Sequence, residues 1–139
     1  MKLSQLFPGK VHADADIGGI TLDSRHVRDG DLFVVFPGLR HDGRDYIAQA
    51  VAAGAAAVVL ESQGAVAHQL AVPSVQIEGL AEQLSALADR FYQQPSAALQ
   101  VIGITGTNGK TSVSQMLAQA LDRLGSRCGV IGTLGSGLA

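Results

Sequence analysis

The chain has 139 residues, a formal net charge of −2 at pH 7 and a hydrophobic content of 47%, of which aromatic residues supply very little. This length fits one domain or two small ones, with a core built from Ala, Val, Leu and Ile. The slight acidity argues against nucleic acid or an anionic membrane surface as the main partner. A single cysteine, Cys128, excludes a disulfide framework. The N-terminus is too poor in apolar residues for a signal peptide, and no run approaches the roughly 20 apolar residues of a membrane span. We therefore expect a soluble, cytoplasmic protein.

The first part of the chain predicts a small α/β domain. A short helical lead-in covers residues 3–7, and a weakly marked strand could lie within 11–18. Apolar runs then predict strands, and apolar residues at helical spacing predict helices between them. The strands are expected over 19–22, 32–36, 55–60 and 72–77, and the helices from Tyr46 to Gly54 and from Leu80 to Tyr92.

Polar residues follow the first two of these strands. Asp23, Ser24 and Arg25 suit a turn, because Asp and Ser side chains bond their own backbone, and they also offer a hydroxyl and a guanidinium to a ligand. The segment 39–44 is a loop dense in hydrogen-bond donors. Histidines do not occur at metal-ligand spacing, and only His41 stands out because of its donor-rich loop. No catalytic triad or paired-carboxylate site is indicated.

The strongest chemical signal lies in the last third of the chain. An apolar run over 99–104 predicts a strand, which is followed by the glycine-rich segment Thr105–Thr111 (TGTNGKT) and then by a helical pattern. Glycines let successive backbone N–H groups approach a polyphosphate, with the positive end of the helix behind them. Lys110 is expected to reach the terminal phosphates, and the Thr111 hydroxyl to ligate Mg²⁺. The general motif fails at one position, because Ile104 stands where its first glycine belongs.

The helix after this segment has a regular apolar face and a clear stop. Gly125 is the expected end signal. The next apolar run, 128–131, predicts another strand, so the unit is β-loop-α-β and favours a parallel sheet. The apolar face consists of Val113, Met116, Leu117, Ala120, Leu121 and Leu124.

The phosphate-binding region looks unfinished. A parallel sheet is covered on both faces and needs several strands, but only eight residues follow Ile131. No later strand supplies an acidic residue for a Mg²⁺ site. We therefore expect two regions, 1–94 and 95–139 with a boundary at Gln94-Pro95-Ser96, the second being the start of a domain. We also expect the chain to be an N-terminal piece that is inactive alone.

Several motifs together resemble the Mur ligases. The segment Thr105–Thr111 is similar to the ATP-binding signature of that family, which carries the departure at Ile104. The first region resembles the family's N-terminal UDP-binding domain in the segments 22–25, 30–34 and 42–47, and the segment 131–138 is similar to the family's sequence after the phosphate-binding helix. Within the family, the motifs favour the member that adds a diamino acid. The member that adds D-alanyl-D-alanine ranks second because it usually has Ser where Thr107 stands.

The resemblance implies an ATP-dependent ligase of peptidoglycan precursor synthesis, with ATP and Mg²⁺ as cofactors. It would join an amino acid to a UDP-N-acetylmuramoyl peptide through an acyl phosphate, as a monomer. The ATP-binding residues implied by position are Gly106, Thr107, Asn108, Gly109, Lys110, Thr111 and Ser112, with Lys110 also catalytic and Thr111 the metal ligand. The residues implied for the UDP end of the substrate are Leu22, Ser24, Leu39, Arg40 and His41.

Two alternatives stay open from the sequence. The added amino acid is expected to be meso-diaminopimelate, with L-lysine as the other candidate. A non-catalytic UDP-sugar or nucleotide-binding module is the interpretation from a different functional class. A generic phosphate-loop ATPase would leave the first region unexplained.

Overall fold

The computed structural model describes residues 1–37, 42–64 and 70–138, and the chain forms two compact units, Met1–Ala98 and Leu99–Ala139. The first unit contains α1 (Leu3–Leu6), β1 (Gly19–Thr21), β2 (Asp31–Val35), α2 (Ile47–Ala52), β3 (Ala57–Glu61), β4 (Ser74–Ile77) and α3 (Leu80–Phe91). The second contains α4 (Lys110–Arg123), β5 (Gly129–Gly132) and β6 (Gly135–Leu138). Short 3₁₀ helices cover Ser24–His26, Gly43–Tyr46 and Pro95–Ala98. Among the described residues, no helix is both long enough and apolar enough to cross a bilayer.

The first unit is built on a parallel sheet whose strands lie in the order β1-β2-β3-β4. Every residue of β2 is buried, as expected where both faces of a parallel sheet are covered. Alternate side chains of β2 enter different cores, because successive residues of a strand point to opposite faces. Leu32 and Val34 pack with α1 and α3, whereas Phe33 and Val35 pack with α2. The unit therefore has three layers, helix, sheet and helix.

The types and the order of the main elements predicted for this unit are confirmed. All four expected strands and both main helices are present, with ends displaced by a few residues. The weakly marked segment 11–18 forms no strand and makes only an isolated bridge, in which Asp16 pairs with Lys2. The α/β class is thus correct for the part on which a substrate site would be built.

The second unit differs from its prediction in its strands. Residues 99–104 form no strand, and β5 pairs with β6 in an antiparallel hairpin rather than joining a parallel sheet. The physical reason is pairing, since a strand is stabilised by hydrogen bonds to a neighbour. The two strands of this unit are each other's partners, so the apolar run before the phosphate-binding segment has none within it.

Helix α4 has the stop that its sequence predicted. Gly125 adopts a φ of 85°, and the backbone N–H of Ser126 donates to the Leu121 carbonyl at 2.9 Å, which satisfies the last turn as glycine-terminated helices do. Its apolar face is largely open to solvent, with Met116 and Leu124 70% and 80% exposed.

A carboxylate connects the sheet to α3. Glu61, the last residue of β3, accepts the backbone N–H of Leu80 at 2.8 Å and that of Gly79 at 3.2 Å. Gly79 occupies the N-cap position without a side chain of its own, so Glu61 does from a distance what an N-cap side chain does locally. These backbone hydrogen bonds, that from Leu80 foremost, lower the pKa of Glu61 below its ordinary value.

We predict that Glu61→Gln lowers the melting temperature by a few degrees, because the amide would turn an N–H donor toward the donors of the helix. A lowered folded-state pKa means that the carboxylate stabilises the fold fully above about pH 4.5 and that this contribution is lost as the pH falls further. Thermal unfolding followed by circular dichroism at several pH values measures the difference. Glu78→Gln removes the same charge from an exposed neighbouring residue and should change little. Equal effects of the two variants at pH 7 would contradict the capping role.

The start of β1 is fitted closely against a buried acid. Gly19 pairs with Asp31, which is 8% exposed and whose Oδ2 accepts the Arg28 backbone N–H at 2.8 Å. A Cβ on Gly19 would overlap Asp31 Oδ1, whereas a Cβ on Gly18 would meet nothing nearer than the Gly30 carbonyl oxygen at 3.8 Å. Only one of these adjacent glycines is required by packing.

Gly19→Ala is accordingly expected to destabilise the first unit by about 1–3 kcal/mol, the usual cost of overpacking. Gly18→Ala should be neutral or stabilising by up to about 1 kcal/mol, since it only restricts the unfolded chain. Urea unfolding followed by far-ultraviolet circular dichroism compares the two. A Gly19 variant as stable as the Gly18 variant would show that Asp31 moves away at no cost.

Candidate functional site

A turn at the carboxyl end of β1 is ordered by its own aspartate. Asp23 is the N-cap of the 3₁₀ helix Ser24–His26, and its Oδ1 accepts the Arg25 backbone N–H at 3.0 Å. The Arg25 guanidinium donates from Nε at 2.9 Å and from Nη2 at 2.6 Å to the same carboxylate. The Arg25 side chain, followed by its backbone N–H, therefore holds the pKa of Asp23 far below its usual range. The turn presents an Asp–Arg ion pair at the sheet edge.

The hydroxyl of this turn reaches a neighbouring helix. Ser24 Oγ donates to Gln49 Oε1 of α2 at 3.2 Å. Leu22, one residue before Asp23, is half exposed. The sequence reasoning missed Gln49, which lies on the exposed side of α2. Its only sequence signal is a polar residue within an otherwise apolar helical pattern. The structure therefore brings Ser24 together with Gln49, and the exposed Leu22 stands two residues before Ser24 in the same segment.

The segment after β2 repeats this arrangement. Asp42 is the N-cap of the 3₁₀ helix Gly43–Tyr46 and accepts the Arg44 backbone N–H at 3.0 Å. Arg44 lowers the pKa of Asp42, mainly through its side-chain hydrogen bonds. Because β1 and β2 are parallel, this turn and the Asp23 turn belong to the same edge of the sheet. Three predicted site residues of the intervening loop, Leu39, Arg40 and His41, lie outside the described residues.

The phosphate-binding segment of the second unit adopts a glycine-dependent backbone. Gly109 is the N-cap of α4 with a φ of 76°, and Gly106 has a φ of 151°, a region that favours glycine. Lys110 Nζ donates to the Gly106 carbonyl at 2.5 Å, so the side chain folds back over the loop. The residues from Thr105 to Ser112 are all exposed. The loop is thus an open turn with a lysine across it at the N-terminus of a 14-residue helix.

Two hydroxyl groups meet beside this loop. Thr111 Oγ1 lies 3.3 Å from Thr133 Oγ1, which belongs to the turn between β5 and β6. The sequence reasoning missed Thr133, because only the hairpin brings it back to the start of α4. In the described part of the chain, no three His, Cys, Asp or Glu side chains are clustered so as to hold a metal ion. The Thr111 hydroxyl is an oxygen donor, the class of ligand that Mg²⁺ prefers.

The two surfaces differ in the chemistry they can perform. A glycine turn at a helix N-terminus with a lysine across it is suited to polyphosphate, because the backbone N–H groups and the ammonium favour negative charge. The edge after β1 and β2 offers a hydroxyl, an amide, a guanidinium and an exposed leucine, which is suited to a ligand with polar and apolar parts. In parallel α/β sheets, ligands commonly bind outside the carboxyl ends of the strands.

Comparison with known families separates the chain into two matched parts. Residues 16–92 match the model described as "Mur ligase family, catalytic domain", and residues 104–138 match "Mur ligase middle domain". The chain belongs to the Mur ligase family. The resemblance drawn from its motifs is confirmed.

Individual Mur ligases are similar over almost the whole chain. The UDP-N-acetylmuramoyl-L-alanyl-D-glutamate--2,6-diaminopimelate ligase of Ectopseudomonas mendocina is 59% identical over 138 residues, which are 99% of this chain and 28% of that protein. A solved structure of a ligase with the same name has a TM-score of 0.74 at 27% identity, again covering 99% of this chain and 28% of that one. The MurF ligase of Thermotoga maritima in complex with ADP has a TM-score of 0.62 at 32% identity and covers 75% of this chain and 23% of its own. The chain therefore spans about a quarter of the length of these relatives.

Proposed function

We propose that this chain supplies the UDP-binding and first ATP-binding parts of an ATP-dependent ligase that adds a diamino acid to UDP-N-acetylmuramoyl-L-alanyl-D-glutamate. The observation that carries the proposal is the 59% identity to a ligase of that name over 99% of the chain, including the whole phosphate-binding segment. In this proposal residues 1–94 bind the UDP end of the substrate and residues 95–139 begin the ATP-binding domain. The diamino acid is meso-diaminopimelate, in keeping with the relatives' names.

The ATP site is assigned to Gly106–Ser112. The N-terminus of α4 and the positive-φ glycines suit the close approach of phosphates, and the related MurF structure was solved with ADP. Lys110 would exchange its contact with the Gly106 carbonyl for phosphate oxygens. Thr111 would hold Mg²⁺ together with the nucleotide. Bound there, Mg²⁺ would neutralise phosphate charge.

The UDP site is assigned to the edge after β1 and β2. Leu22 offers an exposed apolar surface, and Ser24 offers a hydroxyl positioned by Gln49 at 3.2 Å. Leu39, Arg40 and His41 complete the proposed set by their place in the sequence. Leu22 and Ser24 belong to the unit whose sheet is packed between two hydrophobic cores, so this part of the proposed site is built on a folded support.

The proposed reaction has two steps. A carboxylate oxygen of the UDP-linked substrate attacks the γ-phosphorus of ATP, which forms an acyl phosphate and releases ADP. The amino group of the diamino acid then attacks the acyl carbon, forms the amide, and expels phosphate as the nitrogen loses a proton. Lys110 acts in the first step, because its ammonium stabilises negative charge on the transferring phosphoryl group.

A second candidate is the ligase that adds D-alanyl-D-alanine. The solved relatives include such enzymes, and the Acinetobacter baumannii ligase of this kind has a TM-score of 0.68 at 30% identity over 87% of this chain. The diamino acid interpretation is favoured because a relative with that name is 59% identical over 99% of the chain.

The ATP assignment is tested in a hybrid enzyme that carries residues 1–139 of this chain in place of the matching segment of the Ectopseudomonas mendocina ligase. Lys110→Ala is expected to lower kcat/KM at least about a hundredfold, because a charge-stabilising donor is lost. Binding of the UDP-linked substrate should stay within about twofold, since the lysine lies in the other unit. Phosphate release measures turnover, and calorimetry measures binding.

Arg123→Ala is the matched control for this experiment, since it removes one positive charge from the other end of α4. We expect it to retain near-normal turnover. Equal loss of turnover in both variants, or joint loss of turnover and substrate binding in Lys110→Ala, would contradict the assignment.

The UDP assignment is tested on the 139-residue chain itself. Ser24→Ala should weaken UDP binding by about threefold to tenfold, the range expected for loss of one hydrogen bond. Ser96→Ala, at a serine that bonds Asp89 in the first unit, should leave UDP affinity unchanged. A titration followed by NMR chemical shifts gives both dissociation constants. Undiminished affinity in Ser24→Ala would remove Ser24 from the site.

A further inference from the structure

Two Asp-x-Arg segments follow adjacent strands and fold alike. In the segments 23–25 and 42–44, the aspartate accepts the arginine backbone N–H at 3.0 Å in both cases. In both, the guanidinium binds the same carboxylate through Nε at 2.9 Å and through Nη2 at 2.6 Å. Each arginine is therefore held against its own turn in one fixed orientation.

The two arginines differ in what else they contact. The side chain of Arg44 is only 23% exposed, and its Nη1 donates to the Gln63 carbonyl at 3.3 Å, so it joins its turn to the segment after β3. The side chain of Arg25 is 77% exposed, and among the described residues its hydrogen bonds go to Asp23 alone. A guanidinium has five N–H groups, and the contacts through Nε and Nη2 leave about three for another partner. Arg44 therefore connects two segments of the fold, whereas Arg25 has N–H groups with which it can bind a ligand.

The surroundings of Arg25 suit an anion rather than a neutral group. His26 Nδ1 lies 3.3 Å from Asp23 Oδ2, so a second nitrogen-bearing side chain shares the turn. Asp23 offsets part of the guanidinium charge at long range, but it also fixes the planar fork. A fixed fork loses less entropy when it binds phosphate oxygens, and guanidinium geometry matches them bidentately. Binding here would depend on short-range hydrogen bonds more than on net charge.

Arg25 also adjoins the surface already assigned to the nucleotide. Its neighbour Ser24 contacts Gln49, and Leu22 lies on the other side of Asp23. The relatives' names specify a UDP-linked substrate, in which a diphosphate joins the uridine to the sugar. A ligand whose uridine lies at Leu22 and Ser24 would place its diphosphate within reach of the next residue along the turn.

We propose that Arg25, held in place by Asp23, binds the diphosphate of the UDP-linked substrate. This inference rests on the proposed function and adds to it a residue that distinguishes a nucleoside diphosphate from a nucleoside. The test must therefore separate recognition of the diphosphate from recognition of uridine.

The experiment titrates the 139-residue chain with UDP and, separately, with uridine, and follows both by NMR. In the Arg25→Gln variant, UDP should bind about tenfold more weakly, and uridine as in the unmodified chain. Arg25→Lys keeps the charge but loses the fork, and should recover only part of the affinity for UDP. Arg28→Gln removes the same charge from an exposed arginine near the start of β2 and should behave as the unmodified chain does.

Each result has a distinct meaning. Equal UDP affinity in Arg25→Gln and the unmodified chain would overturn the inference and leave the proposed UDP site standing. A parallel loss of UDP and uridine binding would show that Arg25 only maintains the turn, and would also overturn it. Failure of the unmodified chain to bind either probe would reject the UDP assignment of the proposed function. Circular dichroism of each variant verifies that the chain is folded.

Discussion

Burial of a parallel sheet on both of its faces is the constraint on which the first unit depends. Strand β2 lies in the middle of the hydrogen-bonded ladder and exposes none of its side chains, so helices must cover each face. Helices α1 and α3 cover one face and α2 covers the other. Because all four strands run in one direction, the segments that leave β1 and β2 meet at one edge. The location of the proposed UDP site is a consequence of this arrangement.

Carboxylates at that edge order the backbone beyond the strands. Asp23, Asp42 and Glu61 follow or end β1, β2 and β3, and each accepts backbone N–H groups of the segment that begins a helix. The side chains of Arg25 and Arg44, followed by the backbone hydrogen bonds, lower the pKa of the two aspartates, and backbone hydrogen bonds lower the pKa of Glu61. They are ionised at neutral pH, and their hydrogen bonds define the conformation of the turns. A rigid turn is a better support for a binding group than a mobile one.

The second unit contains the clearest chemistry and less of its own support. The phosphate-binding loop is determined locally, because its glycines and the helix after it set the backbone without distant contacts. The apolar residues of the second unit, in contrast, are poorly covered. Val101 and Ile102 before the loop, and Met116 on α4, are more than half exposed. The loop before α4 therefore adopts its expected conformation, whereas residues 99–104 form no strand. A strand needs hydrogen bonds to a neighbouring strand, and the start of a helix does not.

The predictability of each feature depends on the range of the interactions that make it. Apolar alternation and turn residues were enough to predict the four strands and the helix 80–92 of the first unit. The prediction of a strand over 99–104 was wrong. An apolar run indicates that a segment can pair with another strand, but not that a partner strand is present. Gln49 and Thr133 were missed for the same reason. Their nearness to Ser24 and Thr111 is created by folding across 25 and 22 residues.

The sequence by itself determined the α/β class, the family, the glycine-rich turn before α4 and the turn at Asp23. These depend on interactions between residues close in the chain, or on motifs that are contiguous in it. The tertiary structure alone decided which side chains share a surface, that Arg44 is tied to Gln63 while Arg25 is open to a ligand, and that β5 pairs with β6. Those outcomes depend on contacts between distant segments, and such contacts are settled only when the segments compete for the same neighbours in space.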